Sequence, residues 1–131
     1  MPKSNADLVI ENLAGFDRLD YDFVASGYAE DGILHFMQRE PIHGREAILA
    51  FFNRQFEPIE NTRIEIKNVL ESGDLVMVER IDHYEYMGVP ISCPVANATE
   101  LRDGKITIWR EYYDQQFAAQ RVREGLKKQT D

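Results

Sequence analysis

Val78-Glu79-Arg80-Ile81-Asp82-His83-Tyr84-Glu85-Tyr86 is the stretch on which the fold turns. In a β-strand successive side chains alternate between faces, so Val78, Arg80, Asp82, Tyr84 and Tyr86 share one side and Glu79, Ile81, His83 and Glu85 the other. The odd side is the wetter one. The even side carries an apolar residue and two aromatics, with an arginine and an aspartate set between them. A charge pair on the greasier face of a strand needs a reason.

The neighbouring segments share this period of two. Strands are expected over 62–71, 75–87, 90–101 and 105–113. Their connections are short: Ser72-Gly73-Asp74, Gly88-Val89, and Arg102-Asp103-Gly104, in which Asp-Gly is a strong hairpin signal. The even residues Ile64, Ile66 and Leu70 of the first of these strands are expected to face the core. In the third, Ile91, Cys93, Val95 and Leu101 share a side with Asn97 and Thr99. In the fourth, parity alone does not choose between the side of Trp109, Glu111 and Tyr113 and that of Ile106, Ile108, Arg110 and Tyr112.

Upstream of residue 62 the pattern is mostly helical. A helix from Ser4 to Gly15 is expected, with Ser4 as cap and Asp7 three residues on. A second runs from about Asp20 to Tyr28 and breaks at Ala29-Glu30-Asp31-Gly32. Gly32 to Met37 reads as a strand, and a third helix runs from Gly44 to about Phe56, with Pro58 beyond it. A polar helix follows from about Gln115 to Lys128. Helices first and an antiparallel meander afterwards predict an α+β fold with helices on one face of a curved sheet.

The 131 residues suit a single domain, 1–131, with one core. An apolar fraction of 44% and an aromatic fraction of 11% are those of a folded globular chain. A net charge of −8 and scattered Lys and Arg argue against nucleic acid as a partner. One cysteine, Cys93, allows no internal disulfide, which fits a reducing compartment. The first residues show no signal-peptide pattern and no stretch approaches a membrane span, so the expectation is a cytoplasmic protein without a membrane partner.

Arg80 and Asp82, two apart in a strand, project to one side and can pair or share a third group. A second carboxylate reaching the same arginine would make a carboxylate–guanidinium–carboxylate chain, a role that suits a planar fork that stays protonated. Two carboxylates in such a site can divide acid and base work. The alternative is a structural ion pair.

Gly73-Asp74-Leu75-Val76-Met77-Val78-Glu79-Arg80-Ile81-Asp82 and Asp103-Gly104-Lys105-Ile106-Thr107-Ile108-Trp109-Arg110-Glu111-Tyr112-Tyr113-Asp114 together resemble the limonene epoxide hydrolase family. Tyr28-Ala29-Glu30-Asp31 and Pro41-Ile42-His43-Gly44-Arg45-Glu46-Ala47-Ile48 resemble the entry of the wider cone fold shared with ketosteroid isomerase and nuclear transport factor 2. The resemblance implies an α+β, curved mixed β-sheet cone, its N-terminal helices enclosing an apolar pocket. It implies a hydrolase that adds water to a small apolar epoxide by acid–base catalysis, without a covalent intermediate. Asp82 would be the base, Glu111 the acid, and Arg80 the bridge between them. Trp109, Glu111 and Tyr113 would then face the pocket, with Leu34, Phe36, Tyr84, Cys93, Val95 and Asn97 as further substrate-binding residues.

Two departures stand out. The acid after Trp-Arg is Glu rather than Asp, and Leu34 and Phe36 stand where the family places a water-holding Tyr and Asn. Asn97, on the cavity side by parity, is expected to replace the lost amide. The resemblance implies no cofactor and a homodimer formed through the open sheet face. A non-hydrolytic binding, isomerase or cyclase-type protein of the same cone is the alternative, with the charge cluster structural. A third class, a pure interaction module, would show an exposed apolar sheet face and no cavity. His35, His43 and His83 lack metal-ligand spacing, and Cys93 lacks an activating base and reads as an apolar wall residue.

Overall fold

The computed structural model describes residues 2–130, so the two end residues of the expected 1–131 domain lie outside it. The chain runs α1 (Asn5–Asp17), α2 (Tyr21–Ser26), β1 (Tyr28–Phe36), β2 (Ile42–His43), α3 (Arg45–Gln55), β3 (Ile59–Ser72), β4 (Leu75–Tyr86), β5 (Val89–Arg102), β6 (Lys105–Tyr113) and α4 (Gln115–Thr130). One six-stranded sheet has the order β2-β1-β6-β5-β4-β3. The meander β3–β6 is antiparallel, whereas β1 runs parallel to β6, which makes the sheet mixed. The architecture is thus the α+β cone expected: a curved, unclosed sheet with helices in its concave side.

Local chemistry accounts for most boundaries. Ser4 caps α1 through a reciprocal capping box with Asp7. Asp20 caps α2 by accepting from the Phe23 N–H at 3.1 Å. Asp103 and Gly104 both take positive φ, 52° and 76°, at the β5–β6 turn, where the twist of the flanking strands favours left-handed central residues. Asp114, just past β6, accepts from the Phe117 N–H and starts α4.

Three expectations need correction. Tyr28 is not the end of the second helix but the start of β1. The carbonyl of Gly27 accepts from the Ile106 N–H at 2.9 Å, and Tyr28 pairs with Ile106, so the parallel ladder with β6 claims the segment earlier than its local pattern suggests. The two-residue β2 was not foreseen; it exists because Ile33 and Leu34 of β1 offer it an edge. Finally, Leu70 does not face the core. A register shift between Ile66 and Asn68 inverts the alternation of β3, so Val69 packs inward and Leu70 is 72% exposed. A single extra residue in a bulge moves every later side chain to the other face.

The main core lies between the concave side of the sheet and α1–α3, where Val9, Leu13, Val24, Ile48 and Phe52 meet Val76, Val78, Leu101, Ile106 and Trp109. Phe16, Tyr21, Phe51, Phe52 and Phe56 form an aromatic lid of edge, tilted and stacked ring contacts. A second cluster joins α4 to β5. Phe117, Ala118, Val122 and Leu126 make an apolar stripe over Val89, Ile91, Cys93 and Val95, so this helix is less purely polar than its composition suggests. Gly125 lets the helix approach closely, since a Cβ there would stand 2.1 Å from Val89 Cγ1. No helix among the described residues is long and apolar enough to cross a membrane.

Candidate active site

A cavity of about 130 Å³ opens between the sheet and the aromatic lid. Its walls are mainly apolar, with Arg80, Asp82 and Glu111 on one side. Such a cavity, with few convergent polar groups, is the usual build of a small-molecule site.

The order of the sheet assembles the charged group. β4 carries Arg80 and Asp82, β5 lies beside it, and β6 follows with Glu111. Asn97 of β5 pairs across the ladders with Val78 on one side and Glu111 on the other. Arg80, 3% exposed, spans this gap. Its Nε and Nη2 donate to the two oxygens of Asp82 at 2.9 and 3.2 Å, and Nη2 also donates to Glu111 Oε2 at 2.5 Å. Its Nη1 donates to Asn97 Oδ1 at 2.6 Å. Glu111 Oε1 accepts from the Trp109 indole N–H at 2.8 Å, two residues back on the same face of β6. The guanidinium therefore ties two carboxylates and one amide into a single planar network.

Electrostatics follow from this burial. Desolvation disfavours the Arg80 cation, but the adjacent Glu111 and Asp82 carboxylates outweigh it and hold its pKa above the ordinary arginine value. Burial raises the Asp82 carboxyl above its usual value against the pull of Arg80. The hydroxyl of Tyr28, fully enclosed, is raised by burial and then by the nearby Glu111 charge. Burial also pushes the Cys93 thiol up to about 11, as suits a wall residue rather than a nucleophile.

Leu34, Phe36, Tyr84, Cys93, Val95, Trp109 and Tyr113 all line the cavity with the charged triad. Leu34 and Phe36 lie beside Trp109 and Glu111 in the β1–β6 ladder, so these two positions present hydrocarbon to the triad, while Tyr28 at the start of β1 also lines the cavity. Asn97 is the exception. It is fully buried and absent from the cavity wall, with its oxygen accepting from Arg80 and its amide donating to Thr99 Oγ1 at 2.8 Å. It braces Arg80 from behind, and the expectation that it binds substrate or holds a water is withdrawn. Parity put it on the right face, but the larger Arg80 side chain lies between it and the cavity.

Several wall residues escaped the sequence reading. Tyr28 was hidden by the misplaced end of α2. Thr62 was overlooked because it stands at the edge of the expected β3 strand. Phe16 and Tyr21 come from α1 and α2 and Phe56 from the end of α3, and none of them was expected at the cavity wall. The odd side of β4 holds a separate polar cluster, with His83 between Glu65 Oε1 at 2.9 Å and Ser92 Oγ at 2.8 Å on the outer face. Among the described residues no group of three or more His, Cys, Asp or Glu side chains gathers to hold a metal ion.

Residues 9–109 match the family model of the SnoaL-like domain. Solved structures share the fold along almost the whole chain. An LEH-like epoxide hydrolase of M. tuberculosis is 21% identical, covers 96% of this chain and 94% of its own, and superposes with a TM-score of 0.81. A candidate polyketide cyclase of Pseudomonas putida KT2440 is 20% identical, with coverages of 92% and 98% and a TM-score of 0.84. A hypothetical protein with a ketosteroid isomerase-like fold from Catenulispora acidiphila DSM 44928, in complex with trimethylamine, is 22% identical, with coverages of 90% and 93% and a TM-score of 0.81.

Proposed function

We propose, for a chain that belongs to the SnoaL-like domain family, that the cavity opens a small apolar epoxide by direct addition of water. The observation that carries this reading is the single guanidinium that holds Asp82 and Glu111 together at the wall of an apolar cavity. Asp82 accepts a proton from water as the water oxygen attacks an epoxide carbon. Glu111 delivers a proton to the epoxide oxygen as the carbon–oxygen bond breaks. The product is a diol, and one proton has passed from Glu111 to product and one from water to Asp82. Return of a proton to Glu111 through the site resets the enzyme.

Each group suits its part. Burial makes Asp82 a stronger proton acceptor than an exposed aspartate. Glu111 reaches the same guanidinium from β6, which sets the second acid beside the first at the cavity wall. Arg80 keeps both acids in place and spreads the charge that moves between them. The aromatic and aliphatic wall selects an uncharged substrate, and the cavity's size favours a compact one. The M. tuberculosis LEH-like epoxide hydrolase of the same fold adds support.

A second reading has its own observation. Leu34 and Phe36 set hydrocarbon beside Trp109 and Glu111, which suits an acid–base reaction needing no water. An isomerisation or cyclisation through an enol would use the same pair, and the candidate polyketide cyclase of P. putida shares the fold. A panel of alicyclic and terpene-like epoxides, assayed for diol with wild type, Asp82→Asn and Glu111→Gln, tests the hydrolase. The expected result is turnover by wild type and a loss of about 100-fold or more in each variant. No diol from any substrate sinks the hydrolase, and full activity in both variants sinks the site.

A further inference from the structure

Among the described residues, two buried polar side-chain atoms have no hydrogen-bond partner, Asn12 Oδ1 and Thr62 Oγ1. Thr62 belongs to the cavity wall. A buried hydroxyl left without a partner is costly, and a native chain seldom keeps one without a use for it. The backbone around it is built in a particular way. Glu60 pairs with Glu85 and Arg63 with His83, so two residues of β3, Asn61 and Thr62, stand opposite one of β4, Tyr84. Asn61 takes φ 52° to make this bulge, and its amide donates to Glu85. The bulge aims Thr62 at the cavity, in line with Ile64 two residues on.

Ile64 pairs directly with Asp82. Thr62 and Asp82 are therefore diagonal neighbours on the concave face of adjacent strands. In a regular antiparallel pair diagonal Cβ atoms lie somewhat under about 7–8 Å apart, which leaves two short polar side chains a gap of roughly 5 Å. One water, with hydrogen bonds of about 2.8 Å to each, spans such a gap. We infer that Thr62 is a positioning residue that holds the attacking water against Asp82, taking over from β3 the task that Leu34 and Phe36 of β1 cannot perform. The water donates one hydrogen to the Asp82 carboxylate and the other to Thr62 Oγ1. Its lone pairs are left to face the substrate. Asp82 alone would fix one hydrogen and leave the water free to turn about it, and orientation supplies much of the rate of such a step.

The inference rests on the hydrolase reading for its catalytic part, but its geometric part can be read without turnover. A crystal structure of the wild-type protein at neutral pH should show a water within about 3.2 Å of both Thr62 Oγ1 and an Asp82 oxygen. Thr62→Val, which keeps the shape and removes the hydroxyl, should lose that water, and Thr62→Ser should keep it. In steady-state kinetics on any epoxide the wild type opens, Thr62→Val should lower kcat about tenfold with little change in KM, and Thr62→Ser should restore most of it. Unchanged melting temperatures across the three proteins would set aside a merely structural effect. Density that shows no water shared by Thr62 and Asp82 overturns the inference, whether or not the protein opens epoxides. A Thr62→Val enzyme with wild-type kcat overturns it too. A shared water in a protein that opens no epoxide supports the placement and sinks the hydrolase reading instead.

Discussion

Replacing Arg80 by methionine tests how the charged network is held. Arg80 is 3% exposed and makes four hydrogen bonds, two to Asp82, one to Glu111 and one to Asn97. Methionine fills much of the stem's volume but offers no donor. Glu111 retains the Trp109 N–H, whereas both Asp82 oxygens lose the Arg80 donors, and Asn97 Oδ1 is left without its Arg80 donor. Removing one member of a buried ion pair costs about 3–5 kcal/mol. For a chain of this size each kcal/mol shifts the melting temperature by roughly 3–5 °C, so Arg80→Met should melt about 10–25 °C below wild type at pH 7.

The loss should depend on pH, with a definite sign. Burial already raises the Asp82 carboxyl in the wild type, and the Arg80 charge restrains that rise. Without the cation the folded protein binds the proton still more tightly than the unfolded chain does. Stability is then fullest below the ordinary carboxylate range and falls as pH rises through the raised folded value. The deficit of Arg80→Met should therefore shrink as pH falls from 7 towards 5. The triple variant Arg80→Met, Asp82→Asn, Glu111→Gln removes the stranded charges and should recover at least half the loss, though Asn97 still lacks a donor. Melting by circular dichroism at the two pH values measures all of this. An Arg80→Met protein that melts within about 3 °C of wild type at both would refute the picture of a closed network held by Arg80.

Two further outcomes follow from packing. Gly125→Ala, which in an open helix would gain about 0.5–1 kcal/mol, should destabilise here by about 1–3 kcal/mol because the new Cβ meets Val89. A rise in melting temperature would show that α4 does not sit on β5 as described. In β3, Leu70→Ser should change stability by less than about 0.5 kcal/mol, whereas Val69→Ala should cost about 1 kcal/mol, since Leu70 is exposed and Val69 packs against the core. Chemical denaturation of both variants decides it, and the reverse order would place the register shift elsewhere.

The amino-acid sequence by itself determined the meander, its turns and the identity of the charged residues. Period-two alternation and Asp103-Gly104 signals are local properties, as is the Arg80/Asp82 spacing that puts both on one face. The resemblance carried by residues 73–82 and 103–114 pointed to Glu111 as the third member. Only the tertiary structure decided the rest. Tyr28 became a strand because β6, nearly eighty residues later, offered it a parallel partner. Val69 and Leu70 exchanged sides because of one bulge, which alternation cannot announce. Asn97 was withdrawn from the cavity by the bulk of Arg80 in front of it, and Thr62 was turned into it by the strained Asn61. Each of these depends on what another strand places alongside. Side-chain period along one segment carries no record of that.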